Sequence, residues 1–202
     1  MESEKFWDAR YREQPKSWGD DPNIFLSQID LKGLSSAVDL AGGNGRNSLW
    51  LASQGLKAEN VDISSVALEQ FLDRAEQREI ADKCLATQAD AINAKFQLTP
   101  ELLVIAYLQI PADQFEKAFH NSLTQVANGA KVFGVWHAIE NLEHGYGGPP
   151  SKEVLVSEGQ LRKLTEKYSW IDLKIENRNR EINTDDGLKI AIDVVLEGTL
   201  SS

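Results

Sequence analysis

One cysteine in 202 residues excludes an internal disulfide and any cysteine-based metal cluster. Cys84 therefore reads as a small core residue rather than a nucleophile. Positive charge is scarce: 21 Lys and Arg stand against 31 Asp and Glu, a formal net charge of −10. That balance argues against a protein that tracks a nucleic-acid backbone, which needs basic surface. No apolar run approaches the ~18 residues of a membrane span. The first residues, M-E-S-E-K-F-W-D, lack the apolar segment of a secretory signal. The expectation is a cytoplasmic protein with neither nucleic acid nor membrane as partner, and with no metal site. No internal repeat or low-complexity segment interrupts the chain. Its length and its 42% hydrophobic, 26% charged composition suit a single domain over 1–202 with a core of its own.

What is present is concentrated between Ser36 and Asp62. The apolar run Ala37 to Ala41 reads as a buried strand. Gly42, Gly43 and Gly45 follow as a tight turn, which lets backbone approach a ligand closely. Ser48 to Ser53 reads as helix, with Leu49, Leu51 and Ala52 apolar, and Gly55 ends it. A second strand stops at Asp62, 17 residues after Gly45, near the ~20 expected of an acid that takes ribose hydroxyls. Strand, glycine turn, helix, strand and terminal acid make up the layout of a nucleoside-binding site.

The nucleoside is narrowed by two residues. A dinucleotide fingerprint asks for G-x-G-x-x-G/A, and counting from Gly43 the sixth position is Ser48. Asp39, inside the first strand, would repel a pyrophosphate but attract a ligand bearing an ammonium and a sulfonium. Asp39, Ala41, Gly43 and Gly45 resemble motif I, D-x-G-x-G-x-G, of the class I S-adenosylmethionine-dependent methyltransferases. Ala41 departs from it, standing where the first glycine is usual. The resemblance spans nearly the whole chain and is most specific at Asp39 to Asn47, Asp62-Ile63-Ser64 and Tyr107 to Pro111. It points to the small tellurite-resistance-like branch.

That resemblance implies an α/β, Rossmann-like fold: a seven-stranded, mostly parallel sheet with helices on both faces, a terminal antiparallel hairpin and two N-terminal cap helices (1–33) before a core over 34–202. The residue patterns agree. Residues 3–14 read as a helix with Phe6, Trp7, Arg10 and Tyr11 on neighbouring positions. Asp21-Pro22 reads as an N-cap and first helical position ahead of Ile24, Phe25 and Ile29. Ser64 caps a helix to about Ile80, and Lys83 to Gln88 is a short strand. Leu102 to Tyr107 is a strand buried on both faces. Asp113 opens an amphipathic helix with Phe115, Ala118, Phe119, Ser122, Leu123 and Val126 on one face, ended at Asn128-Gly129. Lys131 to His137 is a further strand. Ser157 and Gln160 form a capping-box pattern. Alternating residues from Ile171 to Leu196, with Asp186-Gly187 at the bend, read as a hairpin.

By resemblance, S-adenosyl-L-methionine is the cofactor and S-adenosyl-L-homocysteine the product. The residues expected to hold it are Asp39, Ala41, Gly42, Gly43, Gly45, Arg46, Asn47, Asp62, Ile63, Asp90, Ala91 and Tyr107, with Trp18 in an N-terminal cover. Asp90 is expected at the adenine amine and Ala91 at the ring. The loop Gly145 to Pro150 is expected to border the acceptor pocket. Tyr107 and His137 are the candidate catalytic residues, with Glu140 as a further base if the acceptor carries a proton. Arg46 is placed either to hold an anionic substrate or to pair with an acid. The expected activity is methyl transfer to a small-molecule acceptor by a monomer or homodimer. The alternatives are a non-catalytic S-adenosylmethionine-binding protein and a nicotinamide-dependent oxidoreductase.

Overall fold

In the computed structural model, which describes residues 2–14 and 19–201, the sheet grows outward from the apolar run at its centre. Strand β1 (Ser36–Leu40) pairs in parallel with β2 (Lys57–Asp62) on one side and with β4 (Leu102–Ala106) on the other. β3 (Cys84–Gln88) lies beyond β2, and β5 (Lys131–His137) beyond β4. Between β5 and the edge strand β6 (Ser169–Thr184) runs β7 (Gly187–Ser201), antiparallel to both. The order is β3-β2-β1-β4-β5-β7-β6. Strand order therefore reverses between β1 and β4, where open α/β sheets place their ligands.

Helices α2 (Arg46–Ser53) and α3 (Ser65–Gln77) cover one face of this sheet. Leu49, Leu51, Phe71 and Ala75 pack there against Ala37, Val104, Phe133 and Val195. Helices α4 (Ala112–Leu123) and α6 (Glu158–Thr165) cover the other. Phe115, Phe119, Leu161 and Leu164 meet Val38, Leu40, Ile105, Trp136 and Leu196. Trp136 sits edge-on to Phe115, ring centroids 5.3 Å apart. The strand period of two sorts neighbours to opposite faces, so Asp39, between Val38 and Leu40, points to the α2 side. The N-caps behave as the sequence indicates: the Ser64 hydroxyl accepts from Ala67 N–H, and that of Ser157 from Gln160 N–H.

The N-terminal segment begins with α1 (Glu2–Glu13). The second cap element is much shorter than the Asp21-Pro22 signal predicts, a single 3-10 turn over Leu26–Gln28. The Asn23 side-chain oxygen accepts from the N–H groups of Phe25 and Leu26. Its own N–H donates to the Asn47 side chain. Local side-chain bonding and a tertiary contact thus replace a regular helix. Trp18 lies outside the described residues. No helix among the described residues is long and apolar enough to cross a membrane.

The terminal hairpin is longer than the sheet needs. β5 pairs with β7 only from Lys131↔Thr199 to His137↔Asp193, so residues 187–192 and their β6 partners pass beyond the carboxyl end of β5. Asp185 and Asp186 form the bend, with Thr184 paired to Gly187. A register shift between Ile171 and Lys174, with Asp172 at a φ of 54°, marks a bulge near its base.

Candidate active site

The glycine turn is held by its neighbours. Gly45, at a φ of 80°, is the N-cap of α2, and a Cβ there would collide with the Phe71 ring. Gly43, at a φ of 58°, faces Tyr11, whose hydroxyl occupies the space a Cβ would need. Both positions demand glycine for conformation and for close approach. Ala41 adopts the same left-handed region, with a φ of 58°.

Two buried acids flank this turn. Asp62, at the tip of β2, accepts from Gly43 N–H (2.8 Å) with one oxygen and from Ser64 N–H (2.9 Å) with the other. Burial pushes its carboxyl above the usual range, against those backbone hydrogen bonds. Asp39 is 1% exposed; its Oδ2 accepts from the Ser48 hydroxyl at 3.0 Å. Burial raises its carboxyl to about 7. Asn60 donates to Gly43 carbonyl at 2.8 Å. Among the described residues, Asp39 Oδ1 and Asn60 Oδ1 are buried with no hydrogen-bond partner. Two acceptors beside one loop are thus left for donors from a ligand.

Helix α1 lies over this region. Asp8 accepts from the Ser64 hydroxyl at 2.6 Å, Gln70 donates to Tyr11 carbonyl at 3.0 Å, and Gln88 donates to Glu4 at 3.0 Å. Gln88 also donates to Ile63 carbonyl at 3.3 Å, which places Ile63 under the same cover. Asp90, in the loop after β3, is exposed and accepts from Ile92 N–H at 3.0 Å. Ala91 beside it is half-buried and packs on the core.

On the other side of the switch point, side chains from six segments converge. Tyr107, just past β4, has a φ of 57°, and its N–H donates to Val135 carbonyl at 2.8 Å. Its ring lies 4.9 Å from that of His137. Its hydroxyl donates to Asp193 Oδ2 (2.9 Å) and accepts from the Asn23 side-chain amide (3.2 Å). Burial and the Asp193 charge raise the phenol well above its ordinary value, so at neutral pH the hydroxyl keeps its proton. Arg46 and Arg180 approach the Tyr107 ring with their guanidinium carbons 5.9 and 5.8 Å from its centroid. Burial lowers the Arg46 pKa, opposed chiefly by Tyr107 and Asp39. Arg180 also donates from Nε to Asp193 at 2.6 Å.

His137 sits at the carboxyl end of β5, its side chain 14% exposed, with Nδ1 3.0 Å from Asp193 Oδ1. Gly148 lies against its ring, in the loop the sequence reading places at the pocket. Glu140 is exposed at the start of the short helix α5 (Asn141–His144).

The structure thus brings Asp39, Ala41 to Asn47, Asp62 and Ile63 together around one loop, and Tyr107, His137 and Arg46 around another cluster. Asn23, Asn60, Arg180 and Asp193 join them without having been singled out by sequence. One signal was available for Asp193: an acid inside the apolar run I-A-I-D-V-V-L. Asn60 and Glu59 likewise break β2, and Glu59 is occupied structurally, accepting from the N–H groups of Gln97 and Leu98.

The family model described as tellurite resistance protein TehB matches residues 24–129, more than half of the chain. No curated protein sequence matches it. Among solved structures, that of TehB from Haemophilus influenzae superposes with a TM-score of 0.70 at 12% identity, over 97% of this chain and 67% of that one. N-methyltransferase NodS from Bradyrhizobium japonicum WM9, in complex with S-adenosyl-L-homocysteine, superposes with 0.73 at 14% identity, over 100% of both chains. A structure described for the conversion of a disulfide bond into a thioacetal group during echinomycin biosynthesis gives 0.76 at 17% identity, over 98% of this chain and 91% of that one.

Proposed function

The chain belongs to the TehB family, and from that footing we propose that it is an S-adenosylmethionine-dependent methyltransferase acting on a small-molecule acceptor. The observation that carries the reading is the pair of buried acids at the switch point, Asp39 and Asp62. They flank a glycine turn beside which Asp39 Oδ1 and Asn60 Oδ1 have no partner among the described residues. Cationic and hydroxyl donors fit that set, whereas a pyrophosphate does not.

Asp39 is suited to the positive methionine end. A cation beside it favours the ionised carboxylate that burial alone disfavours. Asp62 takes the ribose hydroxyls, each of its oxygens retaining acceptor capacity beyond the Gly43 and Ser64 bonds. Ile63, Asp90 and Ala91 border the adenine. The cofactor supplies a methyl group on sulfonium, a good electrophile in an in-line displacement. The protein's task is to orient the acceptor, exclude water and receive a proton where the acceptor carries one. Arg46 and Arg180 line the acceptor side around Tyr107. His137 is the proton acceptor, because the Tyr107 hydroxyl is committed to Asp193.

Isothermal titration with S-adenosylmethionine and S-adenosylhomocysteine tests the reading. Hydrogen bonds to a charged partner contribute about 1.5–3 kcal/mol. Asp62→Ala is therefore expected to weaken binding roughly 10- to 100-fold. Because Asp62 also secures Gly43, thermal unfolding of the variant is measured alongside. Absence of both heat and thermal shift with the wild type overturns the proposal. Turnover on a panel of thiols, metalloid oxyanions and amines then identifies the acceptor.

A further inference from the structure

Asp193 is a buried carboxylate on which side chains from three other segments converge. It is fully buried on β7, directly across from His137 in the β5–β7 register. Its two oxygens have different duties. Oδ2 accepts from the Tyr107 hydroxyl at 2.9 Å and from Arg180 Nε at 2.6 Å. Oδ1 lies 3.0 Å from His137 Nδ1, a close approach short of an aligned hydrogen bond, and neither of these two buried atoms has a hydrogen-bond partner among the described residues. Burial pushes this carboxyl up, but His137 and Arg180 outweigh it and hold the group below the ordinary carboxylate range. It is an anion with two donors fixed on one oxygen and one acceptor position left, aimed at an imidazole.

We propose that Asp193 is a positioning residue that holds neutral His137 in its Nδ1–H form and leaves Nε2 as the basic nitrogen. The inference rests on the reading of His137 as proton acceptor. A buried carboxylate oxygen requires a donor, and His137 Nδ1, unpartnered itself and 3.0 Å away, is the nitrogen placed to supply one as the ring turns into line. A neutral imidazole with its proton on Nδ1 has its lone pair on Nε2. When an acceptor gives up its proton, the proton goes to Nε2 and the electron pair of the broken bond stays on the acceptor. The imidazolium so formed is balanced by the Asp193 carboxylate. Arg180 from β6, Arg46 from α2 and Tyr107 after β4 are the other charged or titratable groups in this cluster. Tyr107 keeps its own proton by donating to the same carboxylate. One residue therefore sets the proton positions of both rings, which lie 4.9 Å apart.

The test is nitrogen-15 NMR of the histidine rings in the ligand-free protein at about pH 8.5, where an ordinary imidazole is neutral. His137→Gln identifies the signals of interest. The wild type is expected to carry the proton on Nδ1 of His137. Asp193→Asn is expected to invert this. The Tyr107 and Arg180 donors keep the amide oxygen in the Oδ2 place, so the amide N–H faces Nδ1 and makes it an acceptor. A purely structural Asp193 would leave the ring proton where it was. A wild-type ring protonated at Nε2 overturns the proposal, and so does an unchanged ring in a folded Asp193→Asn protein. If that variant fails to fold, the wild-type spectrum alone decides. Failure to bind S-adenosylmethionine strikes the methyltransferase reading and leaves this measurement standing.

Discussion

The Ser48 hydroxyl donates to Asp39 Oδ2 at 3.0 Å, while the other oxygen of the same carboxylate is buried without a partner among the described residues. Burial dominates, raising the Asp39 pKa from 3.8 to about 7 despite Ser48 and Arg46. Between those values the folded protein holds a proton that the unfolded chain has lost. Stability from this group is therefore full below the unfolded value and falls as pH rises through about 7. Asp39→Asn removes the titration. Urea unfolding of wild type and variant at about pH 5 and 8 is expected to show the variant gaining relative stability at the higher pH. Parallel behaviour at both would refute the linkage.

The same group makes cofactor binding pH-dependent. A cation beside Asp39 favours the carboxylate, so S-adenosylmethionine affinity is expected to rise from about pH 6 to 8 and then level. Below about pH 7 its binding should release a proton, read as a calorimetric heat that depends on the buffer's ionisation enthalpy. Asp39→Asn is expected to abolish both the release and the slope. A buffer-independent heat in the wild type contradicts the assignment of Asp39 to the charged end of the ligand.

The turn is specified sterically as well as electrostatically. Gly45→Ala places a methyl in the Phe71 ring at a φ of 80°. Left-handed alanine costs about 1–2 kcal/mol and overpacking about 1–3 kcal/mol. With roughly 2–4 °C per kcal/mol at this size, the melting temperature is expected to drop by about 5–15 °C. Gly55→Ala, at a φ of 100° but with open space around it, carries only the conformational cost. Equal effects of the two would mean that Phe71 yields.

Much of this arrangement is legible in the sequence because it is periodic or local. The run L-L-V-I-A, the α4 stripe from Phe115 to Leu123 and the caps Ser64 and Ser157 each declare themselves within a dozen residues. The second N-terminal helix does not follow its local signal, because Asn23 is tied to Asn47, 24 positions on. The Tyr107–Asp193–Arg180 cluster is a tertiary event: Asp193 meets Tyr107 across 86 positions, and no spacing rule connects them. Tyr11 over Gly43 is the same kind of contact, made by a helix whose aromatic face gives no indication of what it covers.

Ala41 stands where the resembled motif has glycine, and the magnitudes explain how it is tolerated. Its φ of 58° costs alanine about 1–2 kcal/mol. Against that, glycine would loosen the unfolded chain by about 0.4–1 kcal/mol. The half-buried methyl packs on the core beneath the turn, and a fully buried one contributes about 0.8 kcal/mol. These effects nearly cancel, so Ala41→Gly is expected to shift the melting temperature by no more than about 3 °C in either direction. Ala41→Val has no such balance: a β-branched residue at positive φ is an outlier, and its extra methyls crowd the turn. It is expected to destabilise by more than about 2 kcal/mol and to weaken S-adenosylmethionine binding. Thermal unfolding and calorimetry on the two variants check this together. A strongly stabilised Ala41→Gly would mean that the turn is strained for a reason other than packing, and a neutral Ala41→Val would mean that the backbone at 41 leaves the left-handed region when asked.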